Sequence, residues 1–215
     1  MRHLLIICLF VISVLSCTRD NKLDTYTKDD AVIWPLKKGN SWTYGGFIGY
    51  SDNGSKDTAD LVLEIDSTIL IDGREHFSLK GDYDSWYRLG KAQVYVSNAT
   101  GDNKGLLASH VAEELVIYEE TGTYQYFESA VSFTGTLTRT AYPDITVINT
   151  HSCFRVQEVY KDEQGIVVQR RIVFYAIDKG PMCFKYYGNR ETPGSADIYL
   201  MLQYTIESMV ILKDE

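Results

Sequence analysis

The sequence predicts an all-β fold with at most one short helix: an antiparallel, strongly curved sheet, a half-barrel or open barrel. Three observations point there. The 215-residue chain holds 16 tyrosines and only 4 prolines, and aromatic and β-branched side chains suit a pleated, half-buried surface. Its apolar residues alternate with polar ones over short runs, the period of strands with one wet face. Asn-Gly, Asp-Gly and Gly-Pro breaks separate those runs, so about ten to twelve strands follow one another through tight turns. An open sheet of that length curls or closes to bury one face and limit its edges.

The first seventeen residues stand apart. Arg2 and His3 precede an almost unbroken apolar run over residues 4–15, and Ser16-Cys17 ends it. That is the order of a secretory signal, and the run is shorter than the roughly 20 residues a membrane span needs. The ending Val14-Leu15-Ser16-Cys17 resembles a bacterial lipobox, which implies cleavage before Cys17 and lipidation of that residue. Residues 1–16 therefore read as a lipoprotein signal peptide and 17–30 as a flexible, polar tether from lipidated Cys17. A single β-rich domain is expected over 31–215.

Within that domain, Lys37-Lys38-Gly39-Asn40 forms a turn, and Trp42 and Tyr44 share one face of the strand after it. Asn53-Gly54 centres the next loop. Leu61, Leu63 and Ile65 line one face of a long strand reaching Ile71. Asp72-Gly73 turns the chain into 74–80, and strands over 85–89 and 93–97 follow. Residues 105–118 have two readings. Leu107, Val111 and Leu115 recur at helical spacing, while Leu115-Val116-Ile117-Tyr118 suits a strand. Val131, Phe133, Gly135 and Leu137 then alternate with Ser132, Thr134, Thr136 and Thr138. Strands over 145–148, 153–160, 166–177 and 182–187 lead to a closing strand over 197–212. The breaks between them fall at 161–165 and at Gly180-Pro181.

Two patches resemble a known group. Trp34-Pro35-Leu36-Lys37-Lys38-Gly39-Asn40-Ser41-Trp42-Thr43-Tyr44 resembles the F/W-P-L-K-x-G-x-x-W-x-Y segment that opens a large group of envelope lipoproteins from Gram-negative bacteria. Phe174-Tyr175-Ala176 through Lys179-Gly180-Pro181 is similar to the W-Y-A…G-V/P segment near the C-terminus of the same group. The resemblance implies a β-rich domain of periplasmic or outer-membrane location. It implies no activity, so no functional residue transfers. Gly39-Asn40-Ser41-Trp42 is also similar to the Gly-x-Trp opening of lipocalins, with one residue too many, and implies a ligand-carrying barrel as an alternative.

The formal charge is −8, and an acidic surface repels nucleic acid and anionic head groups. No nucleic acid partner is expected, and the membrane is reached through the lipid on Cys17. His76, His110 and His151 are scattered without zinc-type spacing, so no metal and no cofactor is expected. Nucleophile-elbow, Walker and dinucleotide motifs are absent. Asp82 with Asp84, and Glu113 with Glu114, are simplest as turn and surface pairs, because glycosidase carboxylates face each other across a cleft. No catalytic residue is assigned.

The cluster Asp82, Tyr83, Asp84, Trp86 and Arg88 gathers aromatic, carboxylate and guanidinium groups round one turn. Such an inventory suits a sugar, with rings on C–H faces and planar groups on hydroxyls. The plainer reading makes Trp86 or Tyr87 a core residue and the two aspartates turn formers. Cys8 leaves with the signal, so Cys153 and Cys183 are the pair left for a disulfide. Strand parity puts both on one face, shared with Arg155, Gln157 and Lys185. A simple meander, however, puts a whole strand between them, about 9.6 Å against a bridging limit of roughly 7 Å. The sequence points to a non-catalytic envelope domain that binds or scaffolds a hydrophobic small molecule, a glycan or an envelope protein. A hydrolase of envelope or dietary polymers is the rival.

Overall fold

A computed structural model describes residues 32–49, 56–71, 73–80, 85–90, 92–97, 103–126, 129–189 and 192–212. The first half of the fold comprises β1 (Ser41–Gly49), β2 (Lys56–Ile71), β3 (Arg74–Leu79), β4 (Trp86–Gly90), β5 (Gln93–Ser97) and β6 (Asn103–Ser109). The second comprises β7 (Leu115–Gln125), β8 (Ser132–Ile148), β9 (His151–Asp162), β10 (Val167–Ala176), β11 (Gly180–Gly188) and β12 (Tyr199–Val210). All twelve lie in one antiparallel sheet, ordered β6-β5-β4-β3-β2-β1-β12-β11-β10-β9-β8-β7. Each strand pairs with its neighbours in sequence, with two exceptions. β1 pairs with β12, joining the first and last strands, and β6 and β7 are the two edges. The sheet is thus a meander rolled so far that its edges meet side by side.

Side chains tie that seam. Arg139 on β8 donates through Nη1 to the Leu106 carbonyl of β6 at 2.7 Å. The Tyr118 ring of β7 lies where a Cβ on Gly105 would stand, 2.2 Å from the nearest ring carbon, so only glycine admits it. Residues 105–109 belong to β6 and 115–118 to β7, with irregular backbone over 110–114, and no helix forms among the described residues. The helical spacing fails because Leu115 on β7 is 52% exposed, while Leu107 on β6 and Val111 in the connection between them are buried. Leu115 and Val116 pair instead with Ala141 and Thr140. The strands expected over 131–140 and 145–148 are likewise one, β8, whose register to β9 breaks between Tyr142 and Thr146. Pro143, which has no N–H to donate, sits inside that break.

The inner face is anchored by Trp42 and Tyr44, both fully buried. Trp42 opposes Leu63 and Tyr44 opposes Leu61 on β2. One end of the roll is closed by the chain just before β1. Ile33, Trp34 and Leu36 are buried there, and Trp34 meets Trp42 edge-on at 5.7 Å and Tyr87 of β4 at 5.4 Å. This plug is bonded to the β10–β11 turn: Asp178 N–H donates to the Val32 carbonyl and Gly180 N–H to that of Ile33. Trp42 Nε1 donates to the Lys179 carbonyl at 2.5 Å and the Tyr44 hydroxyl to that of Pro181 at 2.7 Å, both across 137 residues of chain. The two sequence patches that looked familiar are therefore the two halves of one closure. Asn40, fully buried, locks it. Its Nδ2 donates to the Pro35 carbonyl, its Oδ1 accepts from Leu212 N–H, and its own carbonyl accepts from Ile65 N–H.

Candidate functional site

Beside the plug lies a groove of about 1150 Å³. Its apolar lining comes from Leu36 of the plug, Phe77 of β3, Leu89 of β4 and Leu212 after β12. The charged lining comes from Lys37, Lys38, Arg74 and Arg88, with Glu75 and Asp178. Local geometry places these groups. Gly39, at φ +89°, reverses the chain after Lys37 and Lys38, and the Asn40 bonds pin that turn at the groove. Arg74 opens β3 directly after its hairpin turn. Arg88 opposes Tyr95 on β5, and its guanidinium lies 4.1 Å above that ring, a cation–π contact worth about 0.5–1 kcal/mol.

Of the cluster singled out in the sequence, the structure brings Arg88 to this groove. Asp82, Tyr83, Asp84 and the Trp86 side chain lie outside the described residues, and the Trp86 backbone pairs with Ser97. Tyr87 is a packing residue, set against Trp34. The other groove residues had no common signal in sequence, since they come from the plug, three strands, a turn and the C-terminal segment. Cys17, with the signal and tether over 1–30, also lies outside the described residues.

A second cluster lies on the inner face. Arg139, Glu158 and Arg171 are cross-strand partners on β8, β9 and β10. Glu158, 2% exposed, lies deepest. Its Oε1 accepts from Arg139 Nε and from Arg171 Nη2, each at 2.7 Å. Its Oε2 lies 2.7 Å from Arg171 Nε and accepts from the Tyr160 hydroxyl at 3.2 Å. Burial alone would push the Glu158 carboxyl up, but Arg171 and Arg139 outweigh it and hold the group below the usual carboxylate range. Burial, with Glu158 adding to it, pushes the Tyr160 phenol well up, and burial does the same to Tyr175. Tyr118 rises to about 12, through burial and then its bond to Glu120. Nothing in the sequence singled out this cluster, because the strand partners that neutralise Glu158 are set by pairing.

Cys153 and Cys183 are both buried with free thiols. The disulfide weighed from sequence is not made, because β10 runs between β9 and β11 in the meander. The face shared with Arg155, Gln157 and Lys185 suggested the wetter side of the sheet, but both thiols are buried: burial pushes that of Cys153 up to about 11 and raises that of Cys183. Among the histidines, His76 places Nδ1 3.0 Å from the Arg74 carbonyl, and His110 packs on Phe154. Among the described residues no three His, Cys, Asp or Glu side chains converge as a metal site.

No known family matches the chain, and no curated protein does. Two solved structures are similar to this chain at low identity. One, from Bacteroides fragilis, is named as an exported protein with a YmcC-like fold; it is 12% identical with a TM-score of 0.41, over 84% of this chain and 99% of that one. The other, from Parabacteroides distasonis, is named as a lipoprotein; it is 8% identical with a TM-score of 0.41, over 85% of this chain and 100% of that one.

Proposed function

We propose that this chain is a lipid-anchored protein of a bacterial cell envelope whose barrel is a non-catalytic binding module. The ligand we infer is an amphiphile with an apolar body and an anionic head, seated in the groove beside the plug. The observation that carries this reading is the groove's lining, four cations against two carboxylates over an apolar floor, in a chain of net charge −8. Ligand sites of this kind are concave and largely apolar, with a few polar groups that fix orientation. The anchor rests on the Leu-rich run ending at Ser16-Cys17 and on the polar stretch after it; Cys17→Ala abolishes membrane retention if that reading holds.

Calorimetric titration of the purified full-length protein with dodecanoate tests the ligand class. Saturable binding is expected, with 1-dodecanol, equal in chain length, weaker by more than about tenfold, the value of one charge-assisted contact. The double reversal Lys38→Glu with Arg88→Glu removes that preference. Equal binding of acid and alcohol, or binding indifferent to the reversal, contradicts the proposal.

A further inference from the structure

Toward the opposite end of β9–β11, the buried ionic cluster is left with one positive charge in excess. Arg139 and Arg171 share a single carboxylate, Glu158, and both of its oxygens are already engaged by guanidinium or phenol. The nearest tyrosines supply no anion, since their phenols stay protonated. Arg139 is 6% exposed and closes on Glu158 and the Leu106 carbonyl. Arg171 is different: its side chain is 29% exposed and lines a cavity of about 110 Å³ together with Gln125, Tyr160, Gln169, Arg170, Tyr186 and Tyr187.

That cavity combines tyrosine ring surface with guanidinium, phenol and amide groups. Tyr186 is the register partner of Arg171. Gln169 Nε2 reaches across from β10 to the Gln125 carbonyl of β7 at 3.4 Å. The acidic groups on neighbouring strands have partners of their own: Glu120 accepts from the Tyr118 hydroxyl, and Asp162 accepts two backbone N–H groups of its turn. At about 30 Å³ of liquid volume per water, the space equals that of about four waters, the size of a small oxyanion. Two guanidiniums that share one carboxylate leave charge uncompensated, and a charge-assisted bond from a planar guanidinium to an oxyanion is among the strong ones.

We propose that this cavity binds a small oxyanion, a carboxylate, sulfate or phosphate group, held by the outer edge of Arg171 with the Tyr186 hydroxyl and the Gln169 amide. The site is separate from the groove and does not depend on the groove's ligand. Arg171 faces the anion with its orientation already set by Glu158, so binding requires little rearrangement.

The test is calorimetry and thermal unfolding of the full-length protein with inorganic phosphate, sulfate and acetate in turn. At least one of them is expected to bind saturably and to raise the unfolding midpoint. Gln169→Glu sets a carboxylate two residues from Arg171 on the same strand face. It is expected to weaken anion binding more than tenfold and to raise the midpoint of the ligand-free protein. Tyr186→Phe, which keeps the ring, is expected to weaken binding several-fold, and it keeps the test open if the charged variant folds poorly. No saturable binding by any of the three ions overturns the proposal, as does unchanged affinity in both variants. Loss of binding in Arg88→Glu with retention in Gln169→Glu also overturns it, by assigning the anion to the groove.

Discussion

Asn40 is the residue on which the closed end depends. Three segments that lie far apart in sequence converge on it: Pro35 of the plug, Ile65 of β2 and Leu212 beyond β12. Asn40→Ala leaves the Pro35 carbonyl and the Leu212 N–H without these partners, and should cost roughly 2–4 kcal/mol in a denaturant titration. The sequence placed Asn40 in a turn, and the turn is there, but its deeper role came from partners that no local pattern shows. Glu158 makes the same point for charge. Its folded carboxyl lies below the usual range, so its stabilising effect is present above the unfolded pKa of about 4.3 and is lost as pH falls through the folded value. Glu158→Gln strands two guanidiniums and should cost about 3–5 kcal/mol near neutral pH. The gap to the parent protein should narrow as unfolding is followed below about pH 4.

Strands were the part of the fold that local chemistry made legible. Alternation put Leu61, Leu63 and Ile65 on one face, and Trp42 with Tyr44 inside, where both are fully buried. Periodicity failed between 105 and 118, where Leu107 and Leu115 have helical spacing but belong to opposite sides of a seam. It failed again at Pro143, which bends β8 and does not end it. Glycines mark where elements approach closely. Gly180, at φ +88°, has Trp34 against it, and a Cβ there would meet the indole at 2.6 Å. Gly165, at φ +79°, has nothing within 4 Å. Gly165→Ala should cost about 1 kcal/mol for backbone conformation alone. Gly180→Ala adds overpacking and should cost roughly 2–4 kcal/mol, read as the difference in denaturation midpoint between the two variants. Equal costs would mean that Trp34 is not seated on the β10–β11 turn.

At the scale of the whole molecule, closure follows from pairing β1 with β12. That pair lets twelve strands roll until β6 and β7 meet, and it brings the two termini of the domain to the plugged end. The plug fills that end of the interior with Trp34, Trp42 and Tyr44, so a large ligand is directed to the groove beside it. Arg88 was the one groove residue that the sequence marked as a candidate for ligand binding, because it sits in a dense aromatic and charged run. Lys37, Lys38, Arg74 and the apolar floor became a site only when the roll closed. The most direct test of the groove as the binding site is photocrosslinking with a diazirine-bearing fatty acid, followed by mass-spectrometric mapping of the adducts. The account predicts adducts concentrated on Leu36, Phe77, Leu89 and Leu212 and competed away by dodecanoate. Adducts on the inner face of β7–β10, or spread evenly over the surface, would contradict it.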